Sequence, residues 1–399
     1  MLVHVVDYLA SLGGGVRFVA EMLRALQQAG DTRYQVVSHG PALERYRELL
    51  AGTPRIDFAD VPPANLWRLS TVMVGIPGAG PLNWLLGTPE VHFEVPAAVF
   101  EGCDRVWLPW LHQHRIPWRL AGKAVASLHD VIMLEFPRFF PAKWRHDEER
   151  TVRRWLSSSA RIAVSSHATV ATVGRLFGVG PDRLRVIPLS GDHSRPPEGS
   201  GRRDWPFLGR PFLHCPTNAS PHKNLDVVLS GVAAWGAKHP LVLTGTRTDL
   251  WASGRDDRRE HLRHLAEAAG LVRDRDLFAL GYVDDAAYFH ILERAWALLM
   301  PTLAEGGGSF PVWEALHAGV PVLCSDMPVM REMVERVGGE VLWFDPLRPD
   351  DLVARLTELE RDYPRYRAIA TARSRALRSR TWLDVAREYA SFLGLPEAT

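Results

Sequence analysis

Short runs of apolar residues alternate along this chain with longer segments in which apolar residues recur every three or four positions. The first pattern is typical of buried strands and the second of amphipathic helices. The alternation is regular from residue 212 to residue 361, and it is also visible, less evenly, before residue 190. Strands and helices that alternate at this spacing predict parallel sheets with helices on both faces, and therefore an α/β fold.

The N-terminal half contains seven such apolar runs and three segments with helical spacing. The predicted strands are 2–9, 34–38, 70–74, 105–108, 124–131, 160–166 and 184–188. The predicted helices are 16–29, 143–157 and 167–177. Residues 51–118 mix proline, glycine and tryptophan, so only two strands are assigned there. Within them, residues 110–118 fit either an aromatic and basic acceptor surface or a packed loop.

Residues 190–211 are rich in Gly, Pro, Ser and Arg and have little apolar periodicity, which is typical of a domain boundary. After them the predicted strands are 212–215, 241–244, 277–280, 297–300, 320–324 and 341–344. The predicted helices are 225–235, 260–269, 285–295, 310–318, 329–336 and 350–361. A last amphipathic helix is predicted over 382–393. We therefore expect domains at 1–195 and 196–380, followed by a terminal helical segment at 381–399.

Composition narrows the class of protein. The chain has 399 residues, 46% apolar and 23% charged, which is ordinary for a soluble globular protein. Its net charge of +1 gives no general attraction for nucleic acid. Three widely spaced cysteines argue against disulfides and a zinc site, and no apolar run approaches a membrane span. We expect a cytoplasmic protein, with a peripheral contact at the inner membrane face left open.

The most informative stretch is a strand, a glycine loop and a helix at residues 297–318. In an open α/β sheet this order places the loop at the carboxyl edge of the strands, where ligands bind. The glycines let the backbone approach a bound group, and a helix N-terminus favours an anion such as phosphate. Glu305 and Glu314 flank the loop, and we expect both to face hydroxyl groups, because carboxylates would repel a phosphate. A loop with a purely structural role is the alternative.

Two further positions have residue types suited to binding phosphate or to acid–base chemistry. Lys223 precedes a helix in the loop after the first strand of the second half, where an ammonium group can bind phosphate. His129 and Asp130 end the strand predicted at 124–131, a position suited to a polar contact or to acid–base chemistry. Each is also common without a function, since most lysines are only solvated and most strand histidines have a structural role.

These motifs resemble retaining glycosyltransferases of family 4, which have the GT-B fold. The resemblance rests on the Gly-Gly helix start at 14–15, His129-Asp130, Val-Ser-Ser at 164–166, Lys223-Asn224 and Glu305 to Glu314. It implies two Rossmann-like domains with parallel sheets that face each other across a cleft. Three positions depart from the family pattern: Arg17 replaces a glutamate, Asn218 replaces an arginine, and one residue is inserted between the two glutamates.

The resemblance also implies roles for individual residues. Lys223 and the amides of Gly308, Ser309 and Phe310 would stabilise a donor diphosphate, and His129 and Glu305 would contact the donor sugar as the catalytic residues. Glu314 would hold the ribose. The remaining donor-binding positions implied are Gly14, Gly15, Asn218, Gly245, Tyr282 and Val283. The resemblance also implies that no metal site and no cofactor are needed, with the nucleotide sugar as a co-substrate.

The function expected from these features is a retaining, metal-independent hexosyltransferase of bacterial glycan biosynthesis. It would move a mannose-like or glucose-like sugar, from GDP-mannose or a UDP-hexose, to a carbohydrate, lipid-linked or small-molecule acceptor. Two alternatives stay open: a nucleotide-sugar epimerase or hydrolase, and a non-catalytic partner subunit that binds a nucleotide sugar.

Overall fold

The computed structural model describes residues 1–9, 14–65, 92–192, 203–378 and 380–396. The predicted strand at 70–74 and the change of domain at 195/196 lie outside these residues. The chain divides into two compact units, the first formed by residues 1–190 and 381–399 and the second by residues 191–380. No helix among the described residues has both the length and the apolar character needed to cross a membrane.

The first unit is built on a parallel sheet of seven described strands. They are β1 (Leu2–Val6), β2 (Arg33–Ser38), β3 (Ile56–Asp60), β5 (Arg105–Leu108), β7 (Ala124–Leu128), β8 (Arg161–Val164) and β9 (Leu184–Val186). β4 (Phe93–Glu94) and β6 (His114–Arg115) form a separate parallel pair. The order across the large sheet is β3-β2-β1-β5-β7-β8-β9, so the direction of winding reverses between β1 and β5.

The helices of the first unit cover this sheet. They are α1 (Gly14–Ala29), α2 (Pro41–Leu49), α3 (Ile132–Glu135), α4 (Ala142–Leu156), α5 (His167–Phe177) and, from the end of the chain, α13 (Trp382–Leu393). α13 packs on α1, where Trp382 contacts the ring of Phe18, and the Tyr389 hydroxyl shares a hydrogen bond of 3.0 Å with Ser127 on β7. The last helix of the chain is therefore part of the first core.

The second unit has a parallel sheet of six described strands. They are β10 (Leu213–Pro216), β11 (Leu241–Thr244), β12 (Leu277–Ala279), β13 (Ala297–Met300), β14 (Val322–Ser325) and β15 (Leu342–Phe344). The order is β12-β11-β10-β13-β14-β15, which is the Rossmann order of a doubly wound sheet. Its strands are mostly apolar and buried because helices cover both faces.

Seven helices belong to the described part of the second unit. They are α6 (Leu225–Ala234), α7 (Asp257–Ala268), α8 (Asp285–Leu292), α9 (Phe310–His317), α10 (Pro328–Val337), α11 (Pro349–Arg361) and α12 (Tyr363–Ser374). The winding of this sheet reverses between β10 and β13. In open α/β sheets the crevice at such a reversal, beyond the carboxyl ends of the strands, is where ligands bind.

Candidate functional site

The loops that follow β10 and β13 meet at the reversal point of the second sheet. The Leu303 amide donates to the carbonyl of His222 over 2.7 Å, which joins the two loops directly. Asn224 has a left-handed backbone, with φ 56° and ψ 38°, just before α6. Its side-chain amide donates to the carbonyls of Pro301 at 3.0 Å and Pro346 at 2.6 Å. Asn224 therefore holds the loop that contains Lys223 against the end of β13.

This arrangement brings Lys223 and Glu305 into contact. The distance from Lys223 Nζ to Glu305 Oε1 is 2.5 Å, and the two side chains are 18% and 14% exposed. The two residues are 82 positions apart in the chain, so the sheet order creates their contact. A cation and a carboxylate at the reversal point can together bind a ligand that carries both phosphate and hydroxyl groups.

The glycine loop reaches α9 through Gly308, which has a φ of +101°. A Cβ atom at this position would lie 2.5 Å from the sulfur of Met333 on α10, so both the backbone conformation and the packing require glycine. The Ser309 amide donates to the same sulfur over 3.3 Å. Because sulfur is a weak hydrogen-bond acceptor, the Ser309 amide could donate to a phosphate oxygen instead. Phe310 begins α9 immediately afterwards.

Glu314 lies in the second turn of α9 and is only 2% exposed. The Tyr288 hydroxyl on α8 donates a short hydrogen bond to its Oε2 atom. The Tyr288 ring lies 5.8 Å from the ring of His214, which shares a hydrogen bond of 2.9 Å with Thr244. Burial lowers the pKa of His214 to about 3, so this histidine is neutral. Sequence reasoning missed Tyr288, and no local motif around it signals its role.

The other residues of this unit that the resemblance implies for donor binding lie on neighbouring loops of the same sheet edge. Gly245 has a φ of +124°, and a Cβ atom there would lie 1.8 Å from the carbonyl oxygen of Thr217, so glycine allows the loops after β10 and β11 to pack. The Asn218 side chain accepts a hydrogen bond of 2.9 Å from the Ser220 amide and thereby shapes its own loop. Tyr282 is 55% exposed, and Val283 follows it before α8.

In the first unit, His129 lies just beyond β7 and is 5% exposed. The rings of Phe18 and Trp110 lie 4.8 and 4.5 Å from it. Burial, with a smaller effect of nearby His112, lowers the pKa of His129 to about 3, so the ring is neutral. Its Nδ1 atom shares a hydrogen bond of 2.6 Å with Ser165, and its Nε2 atom is buried.

The structure changes the interpretation of the His129-Asp130 pair. The His129 ring is oriented by Ser165, 36 positions later in the chain, rather than by the adjacent carboxylate of Asp130. Asp130 instead accepts a hydrogen bond of 3.2 Å from the Ile132 amide at the start of α3. The His129 ring is therefore a neutral polar group suited to a sugar hydroxyl.

Gly14 and Gly15 form the first residues of α1, as expected from the Gly-Gly helix start. The loop before them, residues 10–13, lies outside the described residues. Arg17 follows in the first turn. Among the residues that the structure describes, no group of three or more His, Cys, Asp or Glu side chains is arranged to hold a metal ion.

Comparison with known proteins identifies the class of protein to which this site belongs. Residues 202–375, which include nearly all of the second unit, match the family model described as Glycosyl transferases group 1. The chain is 26% identical to O-antigen chain mannosyltransferase B of Escherichia coli over 270 residues, covering 65% of this chain and 67% of that protein. The second unit therefore matches glycosyl transferases of group 1, and the chain has the GT-B fold.

A second relative of this chain is O-antigen chain mannosyltransferase RfbU of Salmonella typhimurium, 25% identical over 224 residues. That match covers 55% of this chain and 56% of the relative. Among solved structures, HepE of Anabaena in complex with UDP and glucose aligns with a TM-score of 0.68, at 14% identity, over 99% of both chains. WaaG, a glycosyltransferase involved in lipopolysaccharide biosynthesis, aligns with a TM-score of 0.57, at 16% identity, over 98% of this chain and 95% of its own. At these identities the structural matches show the fold alone.

Proposed function

We propose that this chain is a retaining hexosyltransferase of family 4 that transfers mannose or a similar hexose from a nucleoside-diphosphate sugar to a saccharide acceptor. The contact between Lys223 and Glu305 at the reversal point of the second sheet carries this proposal. One group is suited to the diphosphate and the other to the sugar hydroxyls. The names of the two O-antigen chain mannosyltransferases among the relatives support mannose as the sugar. We further propose GDP-mannose as the donor and a lipid-linked saccharide as the acceptor.

The difficult step is breakage of the bond between the anomeric carbon and the diphosphate oxygen. Negative charge then grows on the diphosphate while positive charge grows on the sugar ring. Lys223 and the amides at the start of α9, from Gly308 to Phe310, would stabilise the first charge, and preorganised groups of this kind supply a large share of catalysis. Glu305 would bind the sugar hydroxyls and Glu314 the ribose, while Tyr282 and Val283 would contact the base.

We propose that His129 contacts the donor sugar as a neutral hydrogen-bonding group. With a pKa of about 3 its ring does not gain a proton at neutral pH, so it is unsuited to act as a general acid there. The acceptor hydroxyl oxygen would form the new bond on the face that the diphosphate leaves, and its proton would pass to the departing phosphate. This step retains anomeric configuration and needs neither a metal ion nor another cofactor. We place the reaction in the cytoplasm, at the membrane when the acceptor is lipid-linked.

A donor and acceptor panel tests this function. We expect transfer from one of GDP-mannose, UDP-glucose or UDP-galactose to a lipid-linked or soluble saccharide, in the presence of EDTA and with the anomeric configuration retained by NMR. Lys223→Ala, Glu305→Ala and His129→Ala should each lower kcat/KM by roughly 10²-fold, while Lys238→Ala, at an exposed lysine of the second unit, should not. Equal activity of all four variants would refute the site. Formation of an isomeric nucleotide sugar without acceptor would instead indicate an epimerase.

A further inference from the structure

The two groups that we assign to neighbouring parts of the donor, the diphosphate and the sugar, form an ion pair with each other. Lys223 Nζ lies 2.5 Å from Glu305 Oε1. A donor that binds here therefore enters a site whose ammonium group already has a carboxylate partner. Because an ammonium group has three donor hydrogens, it can contact a phosphate while it keeps or releases this carboxylate.

The backbone holds this ion pair in place. The His222 carbonyl, one residue before Lys223, accepts the Leu303 amide at 2.7 Å, two residues before Glu305. On the other side of Lys223, Asn224 is bonded to the carbonyls of Pro301 and Pro346. Lys223 and Glu305 therefore extend from two loops that are hydrogen-bonded to each other. Because these loops are already held together, the ion pair forms at little further cost in chain entropy.

The exposure of the pair separates it from an ordinary surface ion pair. Lys223 and Glu305 are 18% and 14% exposed, whereas Lys238 and Glu360, at a similar 2.6 Å, are 48% and 34% exposed. Solvent screens a shielded pair less, so its attraction is stronger than that of an exposed pair of the same geometry. Competition between Glu305 and a ligand for Lys223 therefore has a measurable effect on binding.

We propose that Glu305 is a specificity-determining residue that makes the site favour the intact sugar nucleotide over the nucleoside diphosphate left after transfer. This inference rests on the proposed function. An intact donor presents hydroxyl groups that satisfy the carboxylate while Lys223 turns to the diphosphate. A nucleoside diphosphate keeps its ribose but lacks the transferred sugar and the hydroxyl groups of that sugar. Glu305 therefore either competes for Lys223 or faces the diphosphate as a like charge. Transfer of the sugar therefore lowers the affinity of the site for the nucleoside diphosphate and promotes release of this product.

Calorimetric titration of UDP, GDP, UDP-glucose and GDP-mannose, without acceptor, tests this inference. Glu305→Gln preserves the size and the hydrogen-bonding ability of the side chain but removes its charge. We expect this variant to bind the nucleoside diphosphate of the active donor about three- to tenfold more tightly, and the intact donor within about threefold of wild type. Product inhibition should strengthen by the same factor.

Glu360→Gln is the matched control, because it removes the same charge from a lysine–glutamate pair elsewhere in the second unit. It should leave the ratio of the two affinities unchanged, which separates a local effect from a change in net charge. An unchanged ratio in Glu305→Gln, in a protein whose wild type binds and transfers the sugar, would overturn the inference and leave the function standing. A wild type that neither binds nor transfers any donor would instead remove the proposed function.

Discussion

At the scale of single residues, the buried carboxylate of Glu314 depends on neighbours far away in the chain. A carboxylate that is only 2% exposed needs hydrogen bonds to replace water, and Tyr288 donates one of them to Oε2. Because this bond fixes one oxygen, it also fixes the direction of the whole carboxylate. Tyr288 is therefore a positioning residue for the group that we propose binds ribose.

Tyr288→Phe should reduce this positioning without removing the aromatic ring. We expect KM for the donor to rise about three- to tenfold with a smaller change in kcat, because binding of the ribose contributes to affinity more than to bond breakage. Preference for the ribose over a 2′-deoxyribose donor should fall in parallel. Tyr366→Phe, which removes a hydroxyl bonded to Glu358 Oε1 at 2.5 Å, is the control. A ribose preference equal to that of wild type would refute the role of Tyr288.

In the first unit, Glu148 on α4 is another buried acidic group, with 4% exposure. Burial, with a smaller effect of Asp130, raises its pKa from 4.5 to about 8. Between these values the folded protein keeps a proton that the unfolded chain releases. The unfolding free energy therefore decreases as pH rises from about 4.5 through 8, because the folded state binds more protons in that range.

Glu148→Gln should remove this pH dependence, since glutamine is neutral at every pH. We expect the melting temperature of the variant, relative to wild type, to increase by several degrees between pH 5.5 and pH 8.5. Glu149→Gln, at the half-buried neighbour that pairs with Arg153, is the control and should show no such trend. Thermal melts followed by circular dichroism at each pH measure the difference. Parallel curves for wild type and Glu148→Gln would contradict the raised pKa.

At the scale of elements, the sequence predicts best where periodicity and end signals agree. The helix predicted at 167–177 is observed as His167–Phe177, and Ser166 accepts the Thr169 amide at its start. The helix predicted at 382–393 is observed as Trp382–Leu393, with a capping box between Thr381 and Asp384. These signals depend only on residues a few positions apart, so they can be read without knowledge of the fold.

Other elements and contacts were not predictable in this way. The sequence prediction missed two helices, Pro41–Leu49 and Tyr363–Ser374, and one strand, Ile56–Asp60. The first helix and the strand lie in the N-terminal half, where the apolar pattern is least regular. The motifs placed Lys223 and Glu305 on the same sheet edge, but their direct contact depends on the adjacency of β10 and β13. Sequence spacing carries no information on such pairs, because the tertiary fold alone determines them.

At the scale of the whole molecule, the two units differ in how the chain builds them. Residues 191–380 form the second unit as one continuous segment, whereas the first unit needs residues 381–399 in addition to residues 1–190. Without α13, the first unit would lose the contacts of Trp382 and Tyr389 with Phe18, Trp107 and Ser127. Exposure of this apolar face would favour aggregation.

This difference predicts that the second unit folds alone and the first, without α13, does not. Residues 191–380 contain Lys223, Glu305 and Glu314 and a core of their own, so the isolated unit should unfold cooperatively and bind the nucleoside diphosphate within about threefold of the full chain. Urea unfolding followed by circular dichroism measures the first property and calorimetric titration the second. Residues 1–190 alone should bind a hydrophobic dye and aggregate, whereas the same segment linked to residues 381–399 should not. A folded second unit that fails to bind a nucleotide bound by the full chain would show that the nucleotide requires residues of the first unit.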